Sequence, residues 1–401
     1  MPIILTEAEA LLNVQPIEHV RALCAEIGPR GPTTEDEARA AAYAAARLEE
    51  IGARDVTIET FRSVPSLWWA LEVACAVALV STPVFLLTND RLWGLSVFFC
   101  VVSLYFLLAE FNFWSLSLSD ILPKRISQNV YGKIAPKGEP RKKLVVIGHL
   151  DTNRTPIFFH PRLVRFLPWM LGLVFACIIA KALLFLVGGM TQAYRAPLAV
   201  FLVLDIPIAA GLVAMLHGDL FSPFTEGAND NATGAAVVLS LAELFSREPL
   251  ENTEYWALCT GCEEATLTGI KAFLARHGDE LRDAYFVDLE CLGIGQLRFI
   301  THEGMLKKYH SNPGLVRAAA DAARAVDADS IRAMQLKTGY TETAIVVRDG
   351  FRGITLMAFP EDSELVPHWH RQSDRVENID AQNLTKAIRY LAALARDLDA
   401  G

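Results

Sequence analysis

Four long apolar segments constrain the fold of this chain more strongly than any other feature of its 401 residues. They cover residues 66–88, 92–114, 166–188 and 196–217. Each is longer than the roughly 20 residues that a helix needs to cross the hydrocarbon core of a bilayer. Tryptophans, which membrane proteins concentrate at the two bilayer interfaces, lie near the ends of these segments. These tryptophans are Trp68, Trp69, Trp93, Trp114 and Trp169. We therefore expect two transmembrane helical hairpins in contact with a lipid bilayer, rather than four helices buried in a soluble core.

The distribution of basic residues predicts the orientation of these hairpins. Lys and Arg are frequent between the hairpins, whereas the two hairpin tips carry only Arg91 and Arg195. Because short loops rich in Lys and Arg stay on the cytoplasmic side, we expect a multi-pass integral membrane protein whose tips face outward and whose remaining domain is cytoplasmic. The net charge of −9 argues against a nucleic-acid partner.

Four ionisable residues lie inside the apolar segments: Glu72, Glu110, Lys181 and Asp205. Lys181 and Asp205 lie on adjacent predicted helices, at depths that a long side chain could bridge. Charged groups within a bilayer are costly and are usually retained for a reason. The two residues either pair and hold the second hairpin together, or they line a path for a substrate or an ion.

Outside the apolar segments, runs of strand length alternate with helical patterns. The predicted strands are 56–61, 129–133, 144–147, 255–260, 284–290, 297–301 and 353–358. The predicted helices are 16–27, 34–51, 233–245, 267–275, 313–326 and 380–398. This alternation predicts an α/β fold, with a mixed and largely parallel sheet sandwiched by helices.

Five short motifs place imidazole and carboxylate groups at the ends of predicted strands or the starts of loops. They lie at residues 148–152, 227–234, 262–264, 288–290 and 368–374. Ligands commonly bind at the carboxyl ends of strands in sheets of this kind. Borderline cations such as zinc take this mixture of nitrogen and oxygen ligands. The sequence therefore predicts a metal site.

Four of the carboxylates in these motifs allow more than one interpretation. Asp230 could bridge two metal ions about 3.5–4 Å apart, or it could serve only as the N-cap of the helix that follows. Glu263 and Glu264 are adjacent, so one can bind metal while the other stays free as a base. Asp151, two residues beyond His149, can orient that imidazole, or it can be a turn residue.

In their order and spacing, the motifs resemble metallopeptidase family 28, the cocatalytic di-zinc aminopeptidases. The same family contains glutamate carboxypeptidase and the single-zinc glutaminyl cyclases. The matching motifs are His149-Leu150-Asp151, Asp230-Asn231-Ala232-Thr233-Gly234, Glu263-Glu264, Glu290 three residues before Gly293, and His370 four residues before Asp374. The family usually has Asp at the position of Glu290, and Asp288 could substitute for it. His368 competes with His370, which has the family's spacing.

The resemblance implies a role for each of these residues. Asp230 would bridge two zinc ions, with His149 and Glu290 completing one site. Glu264 and His370 would complete the other site. Glu263 would be the general base, and Asp151 would support His149.

The resemblance also implies a function. We expect a membrane-embedded, zinc-dependent metallopeptidase with two Zn²⁺ per chain, acting as an aminopeptidase on peptide or small amide substrates. A metal-activated water would attack the amide, with Glu263 as the base. Two alternatives remain: a hydrolase of a lipid-linked or other non-peptide amide, and a catalytically silent membrane scaffold.

The predicted domain layout follows from these inferences. The catalytic domain would comprise residues 1–65, 118–165 and 218–401, with transmembrane hairpins inserted at 66–117 and 166–217.

Overall fold

The apolar segments and the alternating strand–helix pattern lie in separate units of the fold. The computed structural model describes residues 14–88, 91–191, 198–327 and 330–401. It divides into two compact units. The sheet unit comprises Met1–Pro65, Lys124–Arg154 and Phe224–Gly401, and the helical unit comprises Ser66–Pro123 and Thr155–Pro223. Predicted hairpin-tip residue Arg195 lies outside the described residues.

The helices and strands are numbered in chain order. The helices are α1 Pro16–Arg21, α2 Glu35–Glu50, α3 Trp68–Leu87, α4 Trp93–Phe111, α5 Leu118–Ile121, α6 Leu167–Thr191, α7 Leu198–Phe221, α8 Thr233–Arg247, α9 Thr268–His277, α10 Pro313–Asp327, α11 Glu342–Arg348 and α12 Ala381–Ala400. The strands are β1 Arg54–Ser63, β2 Arg125–Ile134, β3 Lys142–His149, β4 Thr253–Thr260, β5 Tyr285–Glu290, β6 Gln296–Glu303, β7 Tyr309–His310, β8 Arg332–Leu336 and β9 Arg352–Phe359. A π-helical turn, Ala22–Ile27, continues α1.

Within the described residues, nine strands form one sheet in the order β1-β2-β4-β3-β5-β9-β6-β7, with β8 paired to β6. The central neighbours β4, β3, β5 and β9 are parallel to one another. Antiparallel pairs flank this centre, because β2 runs against β4 and β6 runs against β9. The structure thus confirms the predicted mixed sheet, largely parallel in its centre and combined with helices in an α/β fold.

The central strands lie in the core of the sheet unit. Leu144, Val145, Val146 and Ile147 of β3 are all almost completely buried, as expected for a parallel strand that is covered on both faces. Beyond them, β3 approaches the start of α8 very closely at Gly148. A Cβ atom at Gly148 would lie 2.6 Å from the carbonyl carbon of Gly234, so only glycine permits this approach. The end of β3 is thereby held next to the loop that precedes α8.

The helical unit contains α3, α4, α6 and α7. Among the described residues, four helices are long and apolar enough to cross a membrane, with bounds of Trp68–Leu87, Trp93–Phe111, Val164–Thr191 and Ala199–Phe221. Their outward side chains are apolar; for example, Trp169 is 79% exposed and Val213 is 64% exposed. Such faces suit a lipid environment better than water.

A charged pair lies inside this helical unit. The Lys181 ammonium is completely buried. It lies 2.5 Å from the Asp205 carboxylate and donates a second hydrogen bond to the Ala78 carbonyl at 2.8 Å. These contacts join α6 to α7 and α3, which favours the structural interpretation of the pair.

Candidate metal centre

The sheet topology brings two of the proposed ligands to one edge. His149 is the last residue of β3 and Glu290 is the last residue of β5, and these two strands are parallel neighbours. Three further candidates come from loops: Asp230 precedes α8, Glu264 follows β4, and His370 follows β9. Parallel strands end at the same edge of a sheet, so the loops that follow them converge there.

The side chains of these five residues form two groups that share Asp230. The His149 Nε2 atom lies 3.3 Å from Asp230 Oδ1 and 3.4 Å from Glu290 Oε2. On the other side, His370 Nε2 lies 3.2 Å from Asp230 Oδ2 and 3.0 Å from Glu264 Oε1. In each group the potential ligand atoms lie within 4.8 Å of one another. The two oxygens of one buried carboxylate therefore face two different imidazoles.

The electrostatics of the centre are those of a crowded set of anionic groups. Burial opposes protonation of His370, but Glu264 and Asp230 outweigh it and raise the His370 pKa to about 9. Burial also opposes protonation of His149, yet Glu290 and Glu263 raise the His149 pKa well above its usual value. The same burial raises the pKa of the Glu290 carboxyl to about 8.

The donor set fits two divalent cations. Each group offers one imidazole, one carboxylate of its own and one oxygen of Asp230. The buried Glu290 Oε1 atom accepts no hydrogen bond from the described residues, so a lone pair remains for a further partner. Cations would offset the repulsion among these buried carboxylates, and zinc accepts His and Asp/Glu ligands in this combination.

Glu263 lies at the edge of this arrangement. Its Oε2 atom is 3.8 Å from His149 Nε2, and its side chain is 11% exposed. The adjacent Glu264 reaches the other imidazole, that of His370, at 3.0 Å. Glu263, Glu264 and His149 also form a third group whose potential ligand atoms lie within 4.8 Å of one another. Burial, together with the other carboxylates, raises the pKa of Glu263 well above its usual value.

Asp151 contacts both the turn that carries the two glutamates and the His149 ring. Its carboxylate oxygens accept hydrogen bonds from the backbone amides of Glu263 and Glu264, both at 3.0 Å. The imidazole Nδ1 atom of His149 lies 3.0 Å from the main-chain oxygen of Asp151 and 3.7 Å from its carboxylate. The main-chain oxygen thus makes the closer contact with the ring, and the carboxylate holds the turn that carries the two glutamates.

The structure also places the competing residues. His368 Nδ1 contacts the Ser373 hydroxyl at 2.8 Å, whereas His370 belongs to the centre. Asp288 accepts a hydrogen bond from the backbone amide of Thr343 at 3.2 Å, whereas Glu290 faces His149. The geometry favours His370 and Glu290 as ligands.

Three residues outside the proposed ligand set support the centre. Asp374 accepts hydrogen bonds from the backbone amides of Asn229 and Asp230, at 2.7 and 3.1 Å. The wholly buried Arg30 guanidinium donates to the carbonyls of Leu150 and Gly227, at 2.7 and 3.0 Å. The Asn153 amide donates to Glu264 Oε2 at 2.8 Å. Only Asp374 could have been found from sequence, through its spacing to His370.

Glu290→Ala is expected to lower zinc occupancy by about one ion per chain, whereas Asp288→Ala is expected to retain both ions. The reason is that Glu290 belongs to the His149 group, while Asp288 is bonded to α11. Zinc per chain, measured by elemental analysis after dialysis, checks this ranking. The opposite ranking would assign the ligand to Asp288.

Comparisons with known proteins agree with this fold. Residues 207–395 match the model of peptidase family M28. The matched range contains every proposed ligand except His149. No curated protein matches the chain.

Several solved structures share the fold at low sequence identity. A zinc aminopeptidase from Bacillus subtilis matches with a TM-score of 0.58 and 14% identity, covering 96% of this chain and 94% of that one. A leucine aminopeptidase precursor from Bacteroides thetaiotaomicron has a TM-score of 0.56 and 14% identity, covering 95% and 96%. A glutaminyl cyclase from the same organism, bound to N-acetylhistamine, has a TM-score of 0.57 and 14% identity, covering 95% and 96%. The family match and the aminopeptidase neighbours support a zinc metallopeptidase.

Proposed function

We propose that the protein is a two-zinc metallopeptidase that removes the N-terminal residue from peptides. The observation that carries the proposal is the position of Asp230, whose two oxygens face His149 and His370 at 3.3 and 3.2 Å. A carboxylate so placed is suited to bridging two cations. The match to peptidase family M28 and the aminopeptidases with the same fold support the choice of reaction.

Within this proposal, the residues of the chain divide the work. His149 and Glu290 would hold one zinc ion. Glu264 and His370 would hold the other, and Asp230 would be shared by both ions. When bound, zinc would polarise the scissile carbonyl and lower the pKa of a water molecule towards about 7. Glu263 would take a proton from the attacking water and return it to the leaving amine, as the C–N bond breaks and the C–O bond forms.

The experiment that tests this function combines zinc analysis with a screen of amide substrates on the detergent-solubilised protein. The panel pairs peptides that have a free N-terminus with the same peptides N-acetylated, and adds an N-acyl amide carried in vesicles. Cleavage of the free peptides alone supports the aminopeptidase. Cleavage of the vesicle-borne amide alone would instead favour a hydrolase of lipid-linked amides, an alternative raised by the four apolar helices. A zinc-loaded protein that cleaves none of the panel would contradict both and would favour the scaffold.

We further propose that the four apolar helices span the membrane, with both hairpin tips outside and the sheet unit in the cytoplasm. The basic segment between the hairpins supports this orientation. All seven cysteines lie in described positions and are buried, so the protein offers a low background for thiol labelling.

Cysteines introduced at the hairpin tips are expected to react with a membrane-impermeant maleimide applied to intact cells. Suitable tip positions are Asn89 and Gln192, which lie outside the described residues. The matched control in the sheet unit is Asp283, whose side chain is 92% exposed. A cysteine at 283 should react only after the cells are opened. Labelling of 283 in intact cells, with 89 and 192 spared, would show that the topology is inverted.

A further inference from the structure

The turn that carries Glu263 and Glu264 is held by an unusual set of hydrogen bonds. Four consecutive backbone amides, from Gly261 to Glu264, donate to side-chain oxygens from distant parts of the sheet unit. The acceptors are, in order, Asn129 Oδ1 at 3.1 Å, Glu37 Oε1 at 2.9 Å, Asp151 Oδ1 at 3.0 Å and Asp151 Oδ2 at 3.0 Å. Asp151 was anticipated from the motif that follows β3. Glu37 and Asn129 belong to no motif of the metal centre.

Glu37 comes from the first turn of α2, more than 200 residues before the amide that it accepts. Its side chain is completely buried. Its second oxygen accepts from the Thr33 amide at 2.9 Å and from the Gln128 side chain at 3.4 Å. A buried carboxylate is costly unless its oxygens are hydrogen-bonded, and each Glu37 oxygen is used in this way. One of these oxygens, Oε1, accepts the hydrogen bond from the turn beside the metal centre.

The backbone of this turn needs such support. Cys262, the residue whose amide Glu37 accepts, has a φ of 52°, in the left-handed region that a residue with a Cβ adopts at a cost. The neighbouring Gly261 lets the carboxylate come close, since a Cβ there would lie 2.8 Å from Glu37 Oε1. Immediately after Cys262 comes Glu263. An anchor at 262 therefore fixes the direction in which the Glu263 side chain leaves the chain.

We propose that Glu37 is a positioning residue for Glu263, acting through the Cys262 amide. The inference rests on the proposed function, in which Glu263 is the base. Glu37 touches neither metal nor substrate; it keeps the turn in the conformation in which the Glu263 carboxylate faces His149. Asn129 fixes the preceding amide and, through its side-chain N–H, the Gly269 carbonyl at 2.8 Å, so it supports the same turn from β2.

The test compares two Glu37 variants with a matched control elsewhere in the sheet unit. Asp399 is a carboxylate residue, 8% exposed against 0% for Glu37, that accepts hydrogen bonds from the backbone amides of Glu251 and Asn252, at 2.7 and 2.8 Å, away from the metal centre. Glu37→Ala removes the acceptor. Glu37→Gln keeps one oxygen that can accept from the Cys262 amide. Its side-chain NH₂ group, however, would then face the Thr33 amide and the Gln128 side chain, which are themselves donors. Asp399→Asn makes the equivalent change at the control site.

Glu37→Ala is expected to lower kcat about 10²-fold, because a displacement of about 1 Å in a catalytic group has that effect. KM and zinc content should stay at their wild-type values. Glu37→Gln should show a smaller loss of kcat, and Asp399→Asn none. Hydrogen exchange should become faster at 261–264 in the Glu37 variants, and at 251–253 in Asp399→Asn.

Three results would overturn the inference: wild-type kcat in Glu37→Ala, restoration of kcat by excess zinc, or unchanged exchange at 261–264. If Glu37→Ala does not fold, Glu37→Gln decides by the same three criteria. Failure of the proposed function has a different signature. In that case the zinc-loaded wild-type protein hydrolyses no amide. Hydrogen exchange at 261–264 then decides the anchoring of the turn by itself: faster exchange in the Glu37 variants supports it, and unchanged exchange refutes it.

Discussion

Asp230→Ala is expected to lose both zinc ions and all measurable hydrolysis together. Each of the two ligand groups takes one oxygen from this single carboxylate, so the substitution removes a ligand from both at once. His149 would then face Glu290 and, at 3.8 Å, Glu263, whereas His370 would face Glu264. Zinc per chain and turnover of a free peptide, measured on the same preparation, check the expectation.

Two further variants make this test specific. Asp230→Asn keeps the shape and one carbonyl oxygen, and we expect it to hold at most one zinc ion. His368 lies in the same loop as His370, but its imidazole contacts Ser373. The His368→Ala variant should therefore retain both its zinc content and its turnover. Full turnover by a metal-free Asp230→Ala protein would refute the assignment of the centre. Loss of one ion with the other retained would show that the carboxylate does not bridge.

The elements of the sheet unit were predictable wherever local sequence pattern and packing agree. The apolar run Leu144–Ile147 predicts a buried strand, and β3 indeed passes through the core. By contrast, β8, Arg332–Leu336, has mostly exposed side chains and no apolar alternation. It is a strand because it pairs with β6, and such a tertiary pairing leaves no local signal.

The four apolar helices show a similar division between what composition predicts and what it does not. Hydropathy predicts which residues suit a bilayer, and each predicted segment overlaps most of one long helix. It does not predict where a helix ends. Helix α7 continues to Phe221, beyond the expected end at 217, because backbone hydrogen bonding can extend a helix past the last apolar turn.

The donor atoms of the candidate centre were accessible from sequence because their order and spacing are local properties of five short motifs. The groups that hold those motifs in place were not. Arg30 joins the loop after β3 to the loop before α8. Its partners in these two loops, Leu150 and Gly227, are 120 and 197 residues away from it in the sequence. Glu37 and Asn129 reach the glutamate turn from comparable distances in sequence. Contacts of this kind depend on the folded topology and have no sequence period.

The contacts of Asp151 with the glutamate turn likewise depend on the folded topology and have no signal in the sequence. Its spacing of two residues from His149 suggests a carboxylate that orients the imidazole. In the folded chain, however, the start of the 263–264 turn lies beside it, and two backbone amides compete for its oxygens. The carboxylate thus holds the 263–264 turn, while the His149 ring lies 3.0 Å from the Asp151 main-chain oxygen and 3.7 Å from the carboxylate.

Glu263→Gln is expected to lower turnover by about 10²–10⁴-fold while both zinc ions stay bound. Glu263 belongs to neither of the two groups that share Asp230, although it forms a third potential group with His149 and Glu264, and its Oε2 atom lies 3.8 Å from His149 Nε2. The amide of Gln preserves the size of the side chain but cannot take up a proton at neutral pH. A loss of turnover without loss of metal therefore isolates proton transfer from metal binding.

The neighbouring Glu264→Gln is the matched variant, since it makes the same chemical change one residue away. Glu264 Oε1 lies 3.0 Å from His370 Nε2, and its other oxygen accepts from Asn153, so this carboxylate is placed to bind zinc. We expect Glu264→Gln to lose about one zinc ion, and its turnover should recover partly as zinc is added. No zinc concentration should rescue Glu263→Gln. If instead Glu263→Gln loses zinc and Glu264→Gln keeps it, the two adjacent carboxylates have exchanged roles, and the base would be the residue that faces His370.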